Sequence, residues 1–512
     1  MRWADKIARP WLAGAAYVVL LAVHAAGASD ENAETLGAHA SAINSFVRTR
    51  YSTDIFKVVG ALVLVAAVAG AFLGTLAGQL VELRDRAAKQ ERSPLSVTAR
   101  ALLVTVALHA WLELVAMADT PALYVDGFYA RGGLARTVQV LATDTFGGGA
   151  LVFFGVVAIA VFVAGPPCLW PTLSERLRAF ALRVPTAWQT AGVWVGAGVL
   201  AALSVVAFAL TPHPHHATRA PNAKPNVLVI AADSLRFDRL TPKLAPHLSA
   251  LADRGTRFDR AYVSLPRTFP SWVTILTGRH PHHHGIRTMF PRWDGRAKDF
   301  DALPERLAKA GYRTSVVSDF AGDIFSRIDL GFGEIDTPTF DMRELVRQRA
   351  VERETPLLPF LVTRAGRAIF PVVRELATAA DPQLVAHDAL RSIDRADGGP
   401  FFETVFFSTA HFPYAAPEPY AAAFTKPSYR GRFKYDKPVG LGSDAPPNAD
   451  DVAQARGLYD GAVASIDDAV DVLLRGLDDR GLTESTIIVI TADHGESLDE
   501  PGRGSGHGDH LF

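Results

Sequence analysis

The sequence has 512 residues, a formal net charge of −1 and a single cysteine, Cys168. This length suits two domains better than one. The near-neutral charge provides no basic surface of the kind that binds nucleic acid, so no nucleic-acid partner is predicted. A single cysteine excludes an internal disulfide bond and a thiolate metal cluster.

The N-terminal region, residues 1–211, contains five stretches that are long and apolar enough to cross a bilayer core, which takes about 20 helical residues. They run over residues 10–28, 57–81, 98–118, 148–168 and 189–211. The sequence therefore predicts an all-α transmembrane region of about five helices.

The first stretch also fits a signal peptide, because Arg2, Lys6 and Arg9 precede it and Ala26-Gly27-Ala28 would serve as a cleavage site. We favour an uncleaved span, since four more follow. Three ionisable residues within the spans, His24, His109 and Glu113, are functional candidates in principle, but they fit helix contacts equally well and are left out of the predicted site.

Orientation follows from the distribution of lysine and arginine between the loops. The N-terminus, the second loop and the fourth loop are rich in cations: Arg2, Lys6, Arg9; Arg84, Arg86, Lys89, Arg92; Arg176, Arg178, Arg183. The first and third loops are poorer in cations and contain acidic residues. This pattern places the N-terminus in the cytoplasm, so five crossings put the C-terminal domain on the extracytoplasmic (periplasmic) side of the inner, or plasma, membrane.

A Pro- and His-rich linker, residues 212–224, precedes a region with a different pattern. Short apolar, β-branched runs at 226–233, 314–319, 402–409 and 485–493 alternate with helix-period segments. Such strands indicate an α/β domain with a mostly parallel sheet sandwiched by helices. Residues 225–512 are predicted to form this domain.

Polar residues follow three of these strands, where the carboxyl ends of parallel strands converge. Asp233 follows the first strand, His411 the third, and Asp493 and His494 the last. Two carboxylates and an imidazole suit a divalent cation, zinc or manganese in particular. Thr268 stands at the start of a helix-like run, where its hydroxyl is either a nucleophile activated by a cation or a plain helix cap.

Four segments resemble the sulfatase branch of the alkaline phosphatase superfamily. They are PNVLVIAADSLRFDRL (225–240), TFPSWVTILTGRHPHHHG (268–285), YDGAVASIDDAVDVLLRGLDDRG (459–481) and STIIVITADHGES (485–497). The resemblance covers most of residues 225–512. Two membrane-spanning groups of that superfamily, the phosphoethanolamine transferases and the lipoteichoic acid synthases, are similar in plan, with five spans before an extracytoplasmic catalytic domain.

The resemblance implies a set of site residues. Asp233, Asp493 and His494 would bind a divalent metal, zinc with manganese, magnesium or calcium as alternatives, and Thr268 would be nucleophile and fourth ligand. His411 would contact the substrate anion or protonate the leaving group, unless it is only a hydrogen-bonded turn residue.

Two further histidines match family positions in the same resemblance. His507 would lie beside the anion, unless it is a mobile C-terminal residue. His284 would also bind substrate, although three consecutive histidines blur which of them corresponds.

The sequence departs from true sulfatases at the nucleophile. Those enzymes carry a cysteine or serine that is oxidised to formylglycine, whereas Thr268 cannot become that aldehyde, and Trp272 replaces the motif arginine. The lysine and histidine that sulfatases place after the second strand are also missing from Val317-Ser318-Asp319-Phe320. Family members usually continue well past the position of Phe512, so the resemblance implies a C-terminal end that is truncated or lacks the terminal subdomain.

Together these features predict a membrane-bound, metal-dependent enzyme that transfers phosphoalkyl groups of envelope lipids or glycans through a phosphothreonine intermediate. One alternative is hydrolysis of phosphoric or sulfuric esters. Another is a non-catalytic envelope protein that binds or senses a ligand. The sequence does not identify donor, acceptor or oligomeric state.

Overall fold

The computed structural model describes residues 9–27, 49–87, 90–164, 224–291, 300–339, 341–437, 446–500 and 504–508. Contacts divide the chain into two compact units. The helical unit is Met1–Thr211 with Leu345–Val373, and the sulfatase-like unit is Pro212–Glu344 with Arg374–Phe512.

The α-helices, in chain order, are α1 Pro10–Gly27, α2 Ser52–Ala87, α3 Pro94–Asp119, α4 Gly133–Val140, α5 Gly147–Ala164, α6 Pro246–Arg254, α7 Thr268–Thr277, α8 Pro281–His284, α9 Leu303–Lys309, α10 Met342–Arg353, α11 Leu358–Leu361, α12 Arg364–Ile369, α13 Pro382–Asp394, α14 Tyr420–Phe424 and α15 Ala449–Asp479. The strands are β1 Asn226–Ala232, β2 Arg313–Ser318, β3 Glu334–Asp336, β4 Phe401–Phe407, β5 Thr486–Ala492, β6 Ser497–Glu500 and β7 Gly504–Gly506. Short 3-10 and π-helical turns connect several of them.

Three helical runs are long and apolar enough to cross a membrane: Ser52–Arg86, Pro94–Asp119 and Gly133–Val163. The first predicted span corresponds to a shorter apolar helix, Pro10–Ala26. The span predicted at 189–211 lies outside the described residues. The expected helical N-terminal region is confirmed, with three candidate spans among the residues that the structure describes.

Helices α1 and α2 pack with their backbones in close contact at glycines. A Cβ added at Gly14 would collide with the carbonyl of Gly70, and one added at Gly74 would collide with the carbonyl of Pro10. Small residues at helix contacts are typical of bundles in membranes, where close backbone approach replaces the hydrophobic driving force.

The sulfatase-like unit contains a five-stranded sheet in the order β3-β2-β4-β1-β5. Every neighbouring pair of its strands is parallel. The central strand β4 is buried along its whole length, as the continuous apolar sequence predicts. Hydrophobic clusters cover both faces of the sheet, one involving α13 and α15 and the other α7. The predicted α/β fold is confirmed.

The parallel arrangement fixes where polar residues meet. Strand β1 pairs with both β4 and β5, and the paired residues include Ala232↔Phe407 and Ala232↔Ala492. The residues that follow these three strands therefore lie at one edge of the sheet. The antiparallel pair β6 and β7 then returns the chain, so that His507 follows directly after β7.

Candidate active site at the carboxyl edge of the sheet

Three buried side chains meet beyond strands β1 and β5. The Nε2 atom of His494 lies 3.3 Å from Asp493 Oδ2 and 3.6 Å from Asp233 Oδ1. One ligand atom from each residue falls within 4.8 Å of the others. All three side chains are shielded from solvent. The structure thus brings together the three residues that the sequence suggests as metal ligands.

The backbone around this cluster is held in an unusual conformation. Ser234 has a φ of 61°, in the left-handed region that disfavours most residues with a side chain. Its N–H donates to Asp493 Oδ1 at 3.2 Å, and its carbonyl accepts from the Tyr459 hydroxyl at 2.7 Å. These bonds hold the strained turn and with it the orientation of Asp233, since strain of this kind persists only where surrounding contacts impose it.

The chemistry of the cluster fits a divalent cation. Neither Asp233 Oδ2 nor Asp493 Oδ2 has a hydrogen-bond partner in the described part of the chain. Burial, and then the charge of Asp493, raises the pKa of Asp233, and burial also raises the pKa of Asp493. Two ionised carboxylates in this position are therefore unstable unless a positive charge compensates them.

The histidine presents a lone pair to the same point. His494 Nδ1 donates to the Gly495 carbonyl at 2.9 Å, so in the neutral tautomer Nε2 carries the lone pair and is directed at the carboxylates. A neutral imidazole whose other nitrogen is held by a carbonyl is the form in which histidine binds metals.

Thr268 completes the group from a different element. It is the first residue of α7, is 3% exposed, and has its Oγ1 3.3 Å from His494 Nε2. The next turn fixes this position: Ser271 Oγ donates to the Asp493 carbonyl at 2.5 Å. Thr268 therefore faces the ligand cluster directly, as a nucleophile or an oxygen ligand must.

Trp272, which replaces the arginine of the sulfatase motif, is a core residue. Its side chain is fully buried and packs edge-on against Phe325 and Phe406, with ring centroids 4.9 and 5.0 Å away. It anchors α7 on the sheet and provides no positive charge for an anion.

His411 and His507 form a second layer over the cluster. Their ring centroids are 4.9 Å apart, and the ring of His507 lies 4.2 Å from that of His494. Burial, and then His507, lowers the pKa of His411 to about 3, so this imidazole is neutral near pH 7. Its Nδ1 donates to the Phe412 carbonyl at 2.7 Å, so Nε2 is the atom able to accept a proton.

Glu496, which sequence reasoning missed, holds His507 in this layer. Its carboxylate is buried, and Oε2 accepts from His507 Nδ1 at 3.2 Å. This contact depends on the antiparallel pairing of β6 with β7, which brings two residues eleven positions apart together. The Asp-His-Gly-Glu sequence after β5 could have indicated Glu496, but the sequence analysis selects only Asp493 and His494 from it.

Asp319 is a second residue that was missed. It follows β2, is buried, and accepts from the Ser408 N–H at 3.0 Å. Burial raises its pKa to about 6. Its position directly after a parallel strand could have identified it as a site residue. The sequence analysis, however, considers this segment only because the lysine and histidine of the family are missing from it.

His284 lies elsewhere. Its Nδ1 accepts from the Ile286 N–H at 3.1 Å, so the proton is on Nε2, which donates to Thr274 Oγ1 at 3.0 Å. Both ring nitrogens thus link α7 to the turn after α8. The structure brings six of the seven predicted site residues into one contiguous group, and the substrate-binding role of His284 stays a prediction.

Comparison with known proteins agrees with this architecture. The sulfatase family profile matches residues 225–511. The curated relatives include the uncharacterized sulfatase YdeN of Escherichia coli (strain K12), 26% identical over 275 residues that cover 51% of this chain and 44% of YdeN. Human iduronate 2-sulfatase is 24% identical, with coverage of 54% and 56%.

A third relative, the multifunctional alkaline phosphatase superfamily protein PehA of Trinickia caryophylli, is 23% identical, with coverage of 53% of this chain and 63% of PehA. The solved phosphonate monoester hydrolase of Agrobacterium radiobacter aligns with a TM-score of 0.40 and 21% identity, over 56% of this chain and 67% of that one. The chain spans about half the length of the curated relatives that it matches. Because the family profile covers more than half of its residues, the chain belongs to the sulfatase family.

Proposed function

We propose that this chain is a membrane-anchored, metal-dependent enzyme that transfers or hydrolyses phosphate esters, in particular phosphoalkyl esters of envelope lipids or glycans, through a phosphothreonine at Thr268. The observation that carries the proposal is the 3.3 Å approach of Thr268 Oγ1 to His494 Nε2, within the same buried group as Asp233 and Asp493.

Asp233, Asp493, His494 and Thr268 would hold the metal. Two carboxylates, an imidazole and a hydroxyl are nitrogen and oxygen donors of the kind that zinc and manganese accept, and we favour zinc. When bound, a divalent cation lowers the pKa of a ligating hydroxyl and neutralises the charge of an anionic substrate.

The side chains of this site then account for both halves of a double displacement. Thr268 Oγ1 attacks phosphorus in line and gives up its proton to a histidine above the site, His411 or His507. The bond from phosphorus to the leaving oxygen breaks, and the same histidine passes that proton to the leaving oxygen. The same histidine next accepts the proton of the incoming hydroxyl, which attacks the phosphothreonine and restores Thr268. In this scheme His411 must gain its proton from Thr268, because its pKa is about 3 in the free protein.

The identity of residue 268 favours phosphate over sulfate esters. Oxidation of a threonine side chain would give a ketone, so the formylglycine route is closed to Thr268. A secondary alcohol can, however, form a stable phosphate ester. The name of the relative PehA, a multifunctional alkaline phosphatase superfamily protein, is consistent with phosphate-ester chemistry in this family.

Hydrolysis of sulfate esters by another route is the second candidate, and family membership favours it, since several relatives are named as sulfatases. The third candidate is a non-catalytic envelope protein. A buried group of two carboxylates, a histidine and a threonine hydroxyl is costly to maintain without a ligand, which argues against it.

A mass measurement on the intact protein tests the proposal. Detergent-solubilised full-length chain is incubated with zinc and a phospholipid extract, and its mass is compared with that of Thr268→Ala and of Thr277→Ala. Thr277 is a matched control, because it lies on the same helix and its hydroxyl bonds only to backbone groups: it donates to the Val273 carbonyl at 2.6 Å and accepts from the Arg279 N–H at 3.2 Å.

We expect a phosphoalkyl-sized mass increase in the wild type and in Thr277→Ala, and none in Thr268→Ala. The size of the increase would name the group transferred. A wild-type protein that binds zinc, turns over sulfate esters and never carries an adduct would favour the hydrolase candidate. A protein that binds no transition metal and turns over no ester would favour the non-catalytic one.

A further inference from the structure

One segment of the sulfatase-like sequence belongs to the helical unit. The chain leaves the sulfatase-like unit after Glu344, between β3 and α13, and returns to it at Arg374. We call residues 345–373 the insertion segment. At its centre, residues 356–362 read PLLPFLV, an apolar run that we call the apolar turn.

The apolar turn is packed into the helical unit. Leu357, Leu358 and Leu361 are almost completely buried. Phe360 packs against the cluster formed by α2 and α3, whose buried members include Leu73 and Leu108. These partners belong to the helices that are candidate membrane spans.

A hydrogen bond fixes where the turn meets α3. His109 is buried, its Nε2 donates to the Pro356 carbonyl at 2.8 Å, and its Nδ1 accepts from the Tyr17 hydroxyl at 3.2 Å. The His109 ring also stacks on that of Phe360, with centroids 6.0 Å apart. This explains a histidine in a predicted span, which the sequence left without a role.

The contact lies far from either end of the apolar part of α3. Glu113 is four residues after His109; the charged residues that bound this stretch are Arg100, nine residues before His109, and Asp119, ten residues after it. At 1.5 Å of rise per residue, His109 is about 14 and 15 Å from those two bounding positions along the helix axis. A bilayer core about 30 Å thick that covers this stretch would therefore have His109 near its middle.

The backbone of the apolar turn suits such a place, because hydrocarbon offers no partners to peptide groups. Pro356 and Pro359 have no N–H to satisfy. The N–H groups of the other five residues all donate inside the segment: Leu357 and Leu358 to the Glu354 carbonyl, Phe360 and Leu361 to that of Leu357, and Val362 to that of Leu358. The Pro356 carbonyl is satisfied by His109.

The segments on either side of the apolar turn contain charged residues. Helix α10 places Arg347, Arg349 and Arg353 before it, whereas Arg367 after it is buried and donates from Nε to the Val362 carbonyl at 2.9 Å. The Arg349 side chain is 73% exposed and pairs with Glu352 at 3.1 Å. A cationic helix directly before a short apolar run is typical of segments whose charged end lies in the headgroup region while the apolar part enters the acyl chains.

We propose that the apolar turn is embedded in the lipid bilayer and so attaches the sulfatase-like unit, through the chain on either side of the turn, to the membrane a second time, independently of the linker 212–224. The partner of this surface is the hydrocarbon and headgroup layer of the lipids. The inference rests on the membrane location contained in the proposed function.

A cleavage experiment tests the second attachment without altering the turn. A recognition site for a sequence-specific protease is placed within residues 212–224 of the full-length protein, and membranes are cut and washed with alkaline carbonate. We expect the fragment that starts after the cut to stay in the membrane pellet. Release of most of this fragment from membranes that retain the N-terminal part would overturn the inference. Release of the uncut full-length protein would instead overturn the membrane location itself.

Lipid contact is measured separately with a fluorescent probe on a single cysteine. In a Cys168→Ser background, bimane is attached at Phe360→Cys or, as the matched control, at Phe258→Cys, since Phe258 is 76% exposed in the sulfatase-like unit. In vesicles of brominated phospholipid we expect the probe at position 360 to lose most of its fluorescence and the probe at 258 to lose none. Quenching at 360 by aqueous iodide, or by neither agent, would contradict a bilayer-embedded turn.

Discussion

Two groups of histidine and aspartate in the sulfatase-like unit have ligand atoms close enough together to hold a metal ion. One is the buried set, Asp233, Asp493 and His494. The other is the outer set, His247, Asp467 and Asp468. By distance alone the two are equivalent.

Three of the four carboxylate oxygens of the outer set already accept hydrogen bonds. Asp467 accepts from the N–H groups of His247 and Leu248, at 3.0 and 2.8 Å, and so caps the N-terminus of α6. Asp468 accepts from the Tyr420 hydroxyl at 2.6 Å. These bonds give the outer set a structural role that needs no ion.

The buried set differs from the outer set because some of its acceptor atoms lack a hydrogen-bond partner among the described residues. Asp233 and Asp493 each keep one carboxylate oxygen that has no partner among the described residues, and His494 Nε2 points a lone pair at them. Unsatisfied acceptor atoms, and not proximity, therefore distinguish a metal site from a carboxylate that caps a helix.

The largest expected effect separates the two hydroxyl groups that contact these sets, Thr268 at the buried set and Tyr420 at the outer set. Thr268→Ala should lower turnover of a phosphodiester by roughly 10³-fold or more, because loss of a nucleophile removes the covalent route. Tyr420→Phe removes the hydroxyl that binds the outer set and should leave turnover unchanged. Steady-state kinetics of the two full-length variants check this, and a Thr268→Ala enzyme within about tenfold of the wild type would contradict a nucleophilic role.

The next effect concerns the histidine layer above the buried set. Glu496→Gln weakens the hold on His507, so we expect kcat to fall by about 10²-fold for an alkyl leaving group, which needs a proton. A nitrophenyl leaving group needs none and should react almost normally.

The matched control is Glu500→Gln, whose carboxylate pairs with Arg236 at 2.5 Å. Equal losses for both leaving groups in Glu496→Gln would indicate a structural role only.

A smaller effect is expected at the cap of α6. Asp467→Ala leaves two N–H groups unsatisfied and should lower the free energy of unfolding by about 1 kcal/mol, the usual cost of losing a cap. A lower Tm of the detergent-solubilised protein, with unchanged metal content, is the expected result. Loss of metal together with the stability would give the outer set a role that we assign to the buried set alone.

The smallest effect is expected at His247. Its imidazole is partly exposed and lies 3.4 Å from Asp471 and 3.7 Å from Asp468. Exposed ion pairs contribute about 0–1 kcal/mol, so His247→Ala should shift Tm very little and leave turnover and metal content unchanged. A large loss of activity would show that the outer set takes part in function.

The buried set could be predicted because its position follows from topology. Asp233 and Asp493 end strands that pair directly, and parallel strands bring such residues to one edge of the sheet. The strand pattern was therefore enough to propose their meeting. The prediction that Thr268 belongs to the site depended in addition on the family resemblance, because its position in the sequence fits a helix cap equally well.

Other features depend on tertiary contacts that no local pattern encodes. Glu496 meets His507 only through the pairing of β6 with β7, and Asp467 becomes a cap only because α15 packs against α6. The apolar turn lies in the middle of a region that was expected to form one domain, residues 225–512. Its sequence is too short to register as a span, and only its packing against α3 shows that it belongs to the helical unit.

The most direct test of the central claim is the metal content of the purified full-length protein after equilibration with zinc and removal of excess ion. It is measured for the wild type, for Asp233→Asn and Asp493→Asn in the buried set, and for Asp467→Asn in the outer set. We expect zinc in the wild type and in Asp467→Asn, and its loss in both variants of the buried set. A wild type without zinc or another transition metal, or zinc that is lost only from Asp467→Asn, would contradict the assignment of the buried set as the metal site.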